Sequence, residues 1–408
     1  MHQIFAPQAY KESTNNCVKS AIVKSHCDIT DVPMGYITVD RTNETFGVLD
    51  SEHMFVHASV STRGDHKLHL PRATVASNTP YVDADAIYCY GGWKFFHFGH
   101  FLLECMNRMY PVLDSRYKNC KYVFTVLDMR PVPEYVYQVF DLLGVPRENV
   151  LVINQTTQFR TVYVPEQSFD IWRYSSTAYA RLGQKLSRAV GPGARHDKVY
   201  VSRLKLGARK TFGEELIQKI FEKNGYTVIY PEQMSIRDQI AAIKNCKYLA
   251  GLAGTALHLA LFMRPGGTVI QIKRNTGADD NASTQDLINR CVGLDFVLVW
   301  ASTEDVPSVH YTACPQIVGP TQYFREFLDA MNFQYSADDL VPDAGVLAQY
   351  TAALSEYKRT LDSKFVYQLK KLIIRMVGIM IPMRRWRRMA RRFLERKLRY
   401  KSNIPPFA

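Results

Sequence analysis

Several features that would fix a protein's class at once are missing from this 408-residue chain. Its eight cysteines (17, 27, 89, 105, 120, 246, 291 and 314) include no Cys-x-x-Cys pair and no close Cys/His cluster. That argues against a zinc ribbon, a redox motif or a disulfide framework, and the apolar surroundings of several suit reduced core residues in a cytoplasmic protein. No window holds the roughly 18 uncharged apolar residues of a spanning helix. The first thirty residues mix charges without a continuous apolar run, so no secretory leader is expected. Neither Gly-x-Gly-x-x-Gly nor the P-loop pattern occurs, which argues against a dinucleotide fold and a P-loop NTPase. There is no internal repeat.

Most of the chain also lacks excess charge. The formal net charge is +13, yet residues 364–401 hold fourteen Lys/Arg against one acid, Glu395. Elsewhere 37 basic residues face 37 acidic ones, so the body has no electrostatic affinity for nucleic acid. Past Pro382, Met383, Trp386, Met389, Ala390, Phe393 and Leu398 recur at roughly helical spacing. Arg384, Arg385, Arg387 and Arg388 fall between them. This is the pattern of an interfacial helix, with Trp386 and Phe393 as apolar anchors and the arginines on anionic headgroups. The expected location is peripheral, on the inner face of the cell membrane.

What is present is a globular composition, 47% hydrophobic and 12% aromatic. Early runs such as "GYITVD" and "HMFVHASV" read as strands. From residue 91 helices and apolar strands alternate, which predicts an α/β fold with parallel sheet covered on both faces. Helices are expected over 97–110, from Pro133 to Gly144, over 175–189, in "GEELIQKIFEKNG", in "SIRDQIAAIKNC" behind Ser235, and from Thr255 to Phe262. "GPGARHD" at 191–197 is the preferred boundary. The expected domains are 1–190 and 191–335, both Rossmann-like and facing a cleft, then a helical extension at 336–363 and the basic tail at 364–408.

Four stretches carry candidate chemistry. In "HFGHFLLECMNRMYP", a regular helix would set His97, His100, Glu104 and Arg108 within about 80° of one another. An imidazole with a carboxylate at i,i+4 suits a general base, with His100 and Glu104 as the pair and His97 as rival. "VYVSRLKLGARK" places Ser202, Arg203 and Arg209 after a strand, where guanidinium forks match phosphate oxygens. "YPEQMSIRDQI" offers Glu232 as an acceptor for ribose hydroxyls. In "YLAGLAGTALHLALF", small residues allow a tight turn around Gly254, with Thr255 as helix cap and free amides as a phosphate site.

These stretches, in this order and spacing, resemble glycosyltransferase family 61 over about residues 90–275. The carriers are the glycine-histidine helix, the Ser-Arg strand end, the "PE…S…Q" segment with Gln239, and the closing glycine turn. The resemblance implies a GT-B fold and inverting transfer from a nucleotide-diphosphate sugar without an obligatory metal or other cofactor. It implies a donor against the second domain and a glycan or lipid-linked glycan acceptor against the first, in capsule- or lipopolysaccharide-type polysaccharide synthesis. Relatives often carry His before the glycine of the last turn; here Ala253 stands there, with His258 one turn later as the substitute. Two other readings compete: a metal-dependent hydrolase with His97, His100 and Glu104 as ligands, and a non-catalytic membrane-bound assembly protein.

Overall fold

A computed structural model describes residues 2–12, 22–41, 45–63, 66–67, 75–90, 96–127, 129–192, 196–207, 211–274, 280–303 and 314–360. The tail at 364–408 and Arg209 lie outside these residues. Two compact units result: residues 1–307 with 316–342, which hold both large sheets, and residues 308–315 with 343–408, whose described part includes a helix over 344–360.

The strands of the large sheets are β1 (His2–Phe5), β2 (Ile29–Pro33), β3 (Tyr36–Asp40), β4 (Thr45–Leu49), β5 (Tyr81–Cys89), β6 (Lys121–Thr125), β7 (Val150–Ile153), β8 (Thr157–Pro165), β9 (Lys198–Val201), β10 (Thr227–Ile229), β11 (Tyr248–Leu252), β12 (Thr268–Lys273) and β13 (Asp295–Trp300). The main helices of the first unit are α1 (Glu134–Leu143), α2 (Thr177–Ala189), α3 (Glu214–Lys223), α4 (Ile236–Ile243), α5 (Asp280–Val292) and α6 (Gln322–Ala330). Local signals account for their ends. Gly144, at φ 77°, closes α1, while Ser176 and Ser235 accept the amides of Tyr179 and Asp238 as N-caps of α2 and α4.

The second sheet runs β10–β9–β11–β12–β13–β1, and every pairing in it is parallel. Its strands are apolar on both faces: Val199, Val201 and Val269 pack into one core cluster, Tyr200, Ala250, Ile270 and Ile272 into another. That two-sided burial is why the sequence shows continuous apolar runs there. β1 joins this sheet although it stands first in the chain. From β9 the chain steps outward to β10 and then returns to the other side of β9 as β11. The reversal makes the carboxyl ends of β9 and β11 a topological switch point, where α/β sheets bind ligands.

The first sheet is mixed. β7, β6, β5 and β8 are parallel, while β2, β3 and β4 are antiparallel additions. The strand expected in "HMFVHASV" is instead a 3₁₀ turn at His57–Ser59. The Ser59 hydroxyl donates to the Val56 carbonyl at 2.7 Å and accepts the Val48 amide at 3.0 Å. These side-chain bonds hold the turn beside β4, which Phe55 meets as a single antiparallel bridge to Leu49. Across the unit, α2 packs tightly on residues 255–262: a Cβ at Gly183 would lie 2.6 Å from the Leu261 carbonyl oxygen.

Candidate active site

β5 ends at Cys89, and the chain returns to the core at residues 96–113. The regular helix expected at 97–110 is not what forms. Residues Phe98–His100 make one α turn, Phe101–Cys105 a π turn and Met106–Arg108 a 3₁₀ turn. The cause lies in residues 107–111. Pro111 has no amide to donate to the Asn107 carbonyl, which instead accepts from the backbone amide and the hydroxyl of Ser168. The Asn107 side chain donates to the Leu103 and Phe169 carbonyls, both at 2.8 Å.

Arg108 does not join the polar stripe. It is wholly buried and donates to the carbonyls of Ala58, Val60 and Pro165. A guanidinium with that many carbonyl partners fixes loops to the segment and is not available to a ligand. His100 and Glu104 do pair, through a short contact between Nδ1 and Oε2. Glu104 is buried, while His100 is 29% exposed. His97 is exposed; its ring lies 4.8 Å from that of His100, and its Nδ1 takes a long bond of 3.5 Å from the His100 amide. Among the described residues no group of three His, Cys, Asp or Glu could hold a metal ion. His100 and Glu104 thus form an imidazole–carboxylate pair with the His97 imidazole beside it.

At the switch point of the second sheet the residues after β9 and β11 come together. Ser202 is buried and its hydroxyl accepts the Leu204 amide at 3.2 Å, which shapes the turn. The Arg203 amide donates to Glu214 Oε1 at 2.9 Å. A Cβ on Gly254 would lie 2.6 Å from Arg203 Nη1, so the guanidinium rests on the Gly254 backbone. Gly254 itself sits at φ 157°, ψ 177°, a region essentially confined to glycine. Ala253 contributes backbone alone: its carbonyl accepts Arg274 Nε at 2.8 Å.

Residues Thr255–Phe262 form a 3₁₀ segment, mostly buried and apolar on all sides. Thr255 does not cap it, since no side-chain bond closes its start. Instead the Thr255 side chain meets Gly99, where an added Cβ would be 2.5 Å from Cγ2. Only glycine admits this approach, so Gly99 joins the His100 segment to the switch point. His258 is buried, its Nδ1 2.9 Å from Gln285 Oε1, with Gln285 Nε2 2.9 Å from Asn289 Oδ1. Burial lowers its pKa to about 4, and the nearby His100 and His97 add to the effect, so it is neutral at pH 7.

Of the other expected residues, Glu232 is exposed on the 3₁₀ turn after β10. Gln239 is buried and donates to the Pro231 and Met234 carbonyls, stitching that turn to α4. Three groups were not anticipated. Glu214, the first residue of α3, is buried against the Arg203 amide and the Tyr200 hydroxyl, and burial raises its pKa to about 7. Lys273, wholly buried, lies over the rings of Tyr10 and Trp300 at 4.5 and 5.4 Å. Arg274 follows it, also donating to Gln316 at 2.6 Å. A pair of cations after "TVIQI" repeats the signal that marked Arg203. Glu214 shares the face of Ile217, Gln218 and Phe221 at helical spacing.

Residues 98–270 match the family model described as Glycosyltransferase 61. Over that stretch the match supports a glycosyltransferase family 61 assignment. The matched region contains His100, Glu104, Ser202, Arg203, Gly254, Thr255 and His258, and its similarity to that family supports glycosyltransferase activity. No curated protein matches the chain.

Proposed function

We propose that this glycosyltransferase moves a sugar from a nucleoside-diphosphate sugar to a hydroxyl of a glycan or lipid-linked glycan, with inversion and without a metal. The observation that carries the reading is the Gly99–Thr255 contact. It sets a histidine-carboxylate pair beside a cationic switch point at the carboxyl edge of a parallel sheet. His100 is the base. With Glu104 ionised, Nδ1–H is committed to the carboxylate and Nε2 is left with its lone pair. His97 turns its Nδ1 to the His100 amide, which makes its other nitrogen a donor and suits it to orient a hydroxyl.

In one displacement the acceptor oxygen attacks the anomeric carbon and its proton passes to His100 Nε2. The bond from that carbon to the diphosphate breaks, and the leaving group carries the electron pair. Arg203 and the backbone amides around Gly254 and Thr255 meet the developing charge, an electrostatic stabilisation that acts where charge appears. The fold in this reading is GT-B, with the donor against the second sheet and the acceptor against the first. Residues 364–401 hold the whole excess of positive charge, which supports an enzyme held at an anionic cytoplasmic membrane surface. A lipid-linked acceptor for a capsule- or lipopolysaccharide-type polysaccharide fits that setting. A thermal-shift screen against nucleotide-sugars tests the reading: one donor should raise the melting temperature by mass action. A flat response across the panel, together with no donor hydrolysis, would overturn it.

A further inference from the structure

The first sheet side of the molecule contains a cavity of about 380 Å³, none of whose lining residues belongs to 97–108. The volume lies within the range of small-ligand pockets. We infer that this pocket binds an acidic sugar unit, a saccharide bearing a carboxylate, at a point on the acceptor remote from the reacting hydroxyl. Its place on an acceptor rests on the transferase reading above; the acidic sugar does not.

Lining chemistry supplies the argument. The Lys24 ammonium sits 3.9 Å from the centroid of the Tyr174 ring, which holds the cation in place. Tyr174 is itself fixed, its hydroxyl donating to the Gln167 carbonyl at 3.0 Å. Arg173, 55% exposed, is the second cation, with Nη1 4.0 Å from Asp170 Oδ2. Asp170 is fully buried and already accepts the Thr62 hydroxyl. Lys24 and Arg173 both line the cavity, and two cations there suit a carboxylate. Glu166, also on the lining, can accept sugar hydroxyls, and Ile22, Ala58 and Val60 offer apolar contact for the ring carbons.

The walls come from two sources. Residues 166–174 lie inside the family 61 region, whereas 22–24 and 57–62 precede it. The second wall is tied to the reacting segment, because Arg108, one turn beyond Glu104, holds the Ala58 and Val60 carbonyls. Binding at this pocket is therefore rigidly referenced to His100. Such remote contacts orient a substrate for reaction without touching the bond that changes.

Titration of the full chain with methyl glucuronide, methyl glucoside and inorganic phosphate, followed by saturation-transfer NMR, tests the proposal. Saturable glucuronide binding is expected, about tenfold tighter than the glucoside. Lys24→Gln and Arg173→Gln should each weaken it by a similar factor, and Ile22→Glu, at a position 62% exposed, should do so while leaving buried contacts alone. No saturable glucuronide binding, equal binding of glucoside or phosphate, or affinities unmoved by all three variants would overturn it. Nucleoside diphosphate binding, measured in the same samples, reports separately on the transferase reading. If it fails while glucuronide still binds, that reading falls and this site stands.

Discussion

The two halves of the candidate site are built on opposite plans. The His100 segment is a sequence of α, π and 3₁₀ turns, and its side chains bond mainly outward, to carbonyls of distant loops. The switch point is a set of strand ends in one parallel sheet, and its groups bond mainly to one another: Arg203 to Glu214 and Arg274 to Ala253. Irregular backbone aims a partly exposed imidazole, whereas regular sheet holds cations where solvent is scarce. Position in the first half thus depends on tertiary ties, and in the second half on strand register.

The sharpest test of that division is functional. His100→Ala should lower turnover by about 10²–10⁴-fold while nucleoside diphosphate binding is unchanged, as measured by initial rates and calorimetry. Equal losses in both would place His100 in the grip and erase the distinction. Arg203→Ala should do the reverse, weakening nucleoside diphosphate binding by about 10- to 100-fold, since a charge-assisted bond is worth about 1.5–3 kcal/mol. An unaltered dissociation constant would remove it from the grip.

Next comes pH. Glu214 has its pKa raised to about 7 by burial, so its contribution to stability is greatest at acid pH and is lost as pH rises to 7. His258 has its pKa lowered to about 4, so the unfolded chain takes up a proton first and stability falls as pH drops from about 6.5 to 4. The two slopes oppose each other between about pH 4.5 and 6.5. Glu214→Gln should flatten the decline towards neutral pH by up to about 3 kcal/mol in denaturant melts, and His258→Gln should flatten the acid limb. Melts that keep the wild-type slopes would show that neither group titrates as its burial requires.

The smallest effect concerns the joint between the halves. Gly99→Ala should cost about 1–3 kcal/mol by overpacking against Thr255, read as a shift in denaturation midpoint. Thr255→Ser, which removes the Cγ2 methyl, should recover part of the loss. If the double variant is no better than the single one, the two halves do not meet through these residues.

Much of this was legible in the chain. The strands β6 to β13 follow apolar runs, and α1, α2 and α4 obey their Pro, Gly and Ser signals, because those are local properties of backbone and burial. The pairing of His100 with Glu104 was readable because i,i+4 spacing survives a single α-to-π transition. The course of residues 105–111 was not, since it depends on Ser168, sixty residues away, taking the bond that Pro111 cannot make. Arg108 was misassigned to the stripe for the same reason. Thr255 looked like a cap but has a contact with Gly99, and Gln239 looked like a ligand group but serves carbonyls of its own turn. Glu214 was hidden because an acid in the first turn of a helix is ordinarily a solvated one favoured by the dipole.

By itself the sequence determined the alternation of elements, the residue types at strand ends and the segregation of charge into the tail. These follow from local periodicity, turn chemistry and simple summation, none of which needs a partner far along the chain. Tertiary structure alone decided that β1 completes the second sheet, that Gly99 meets Thr255, and that Arg108 is a buried tie while Arg203 rests on the Gly254 backbone. Those outcomes depend on which buried carbonyls and amides find each other, and identical side chains meet different fates according to that pairing.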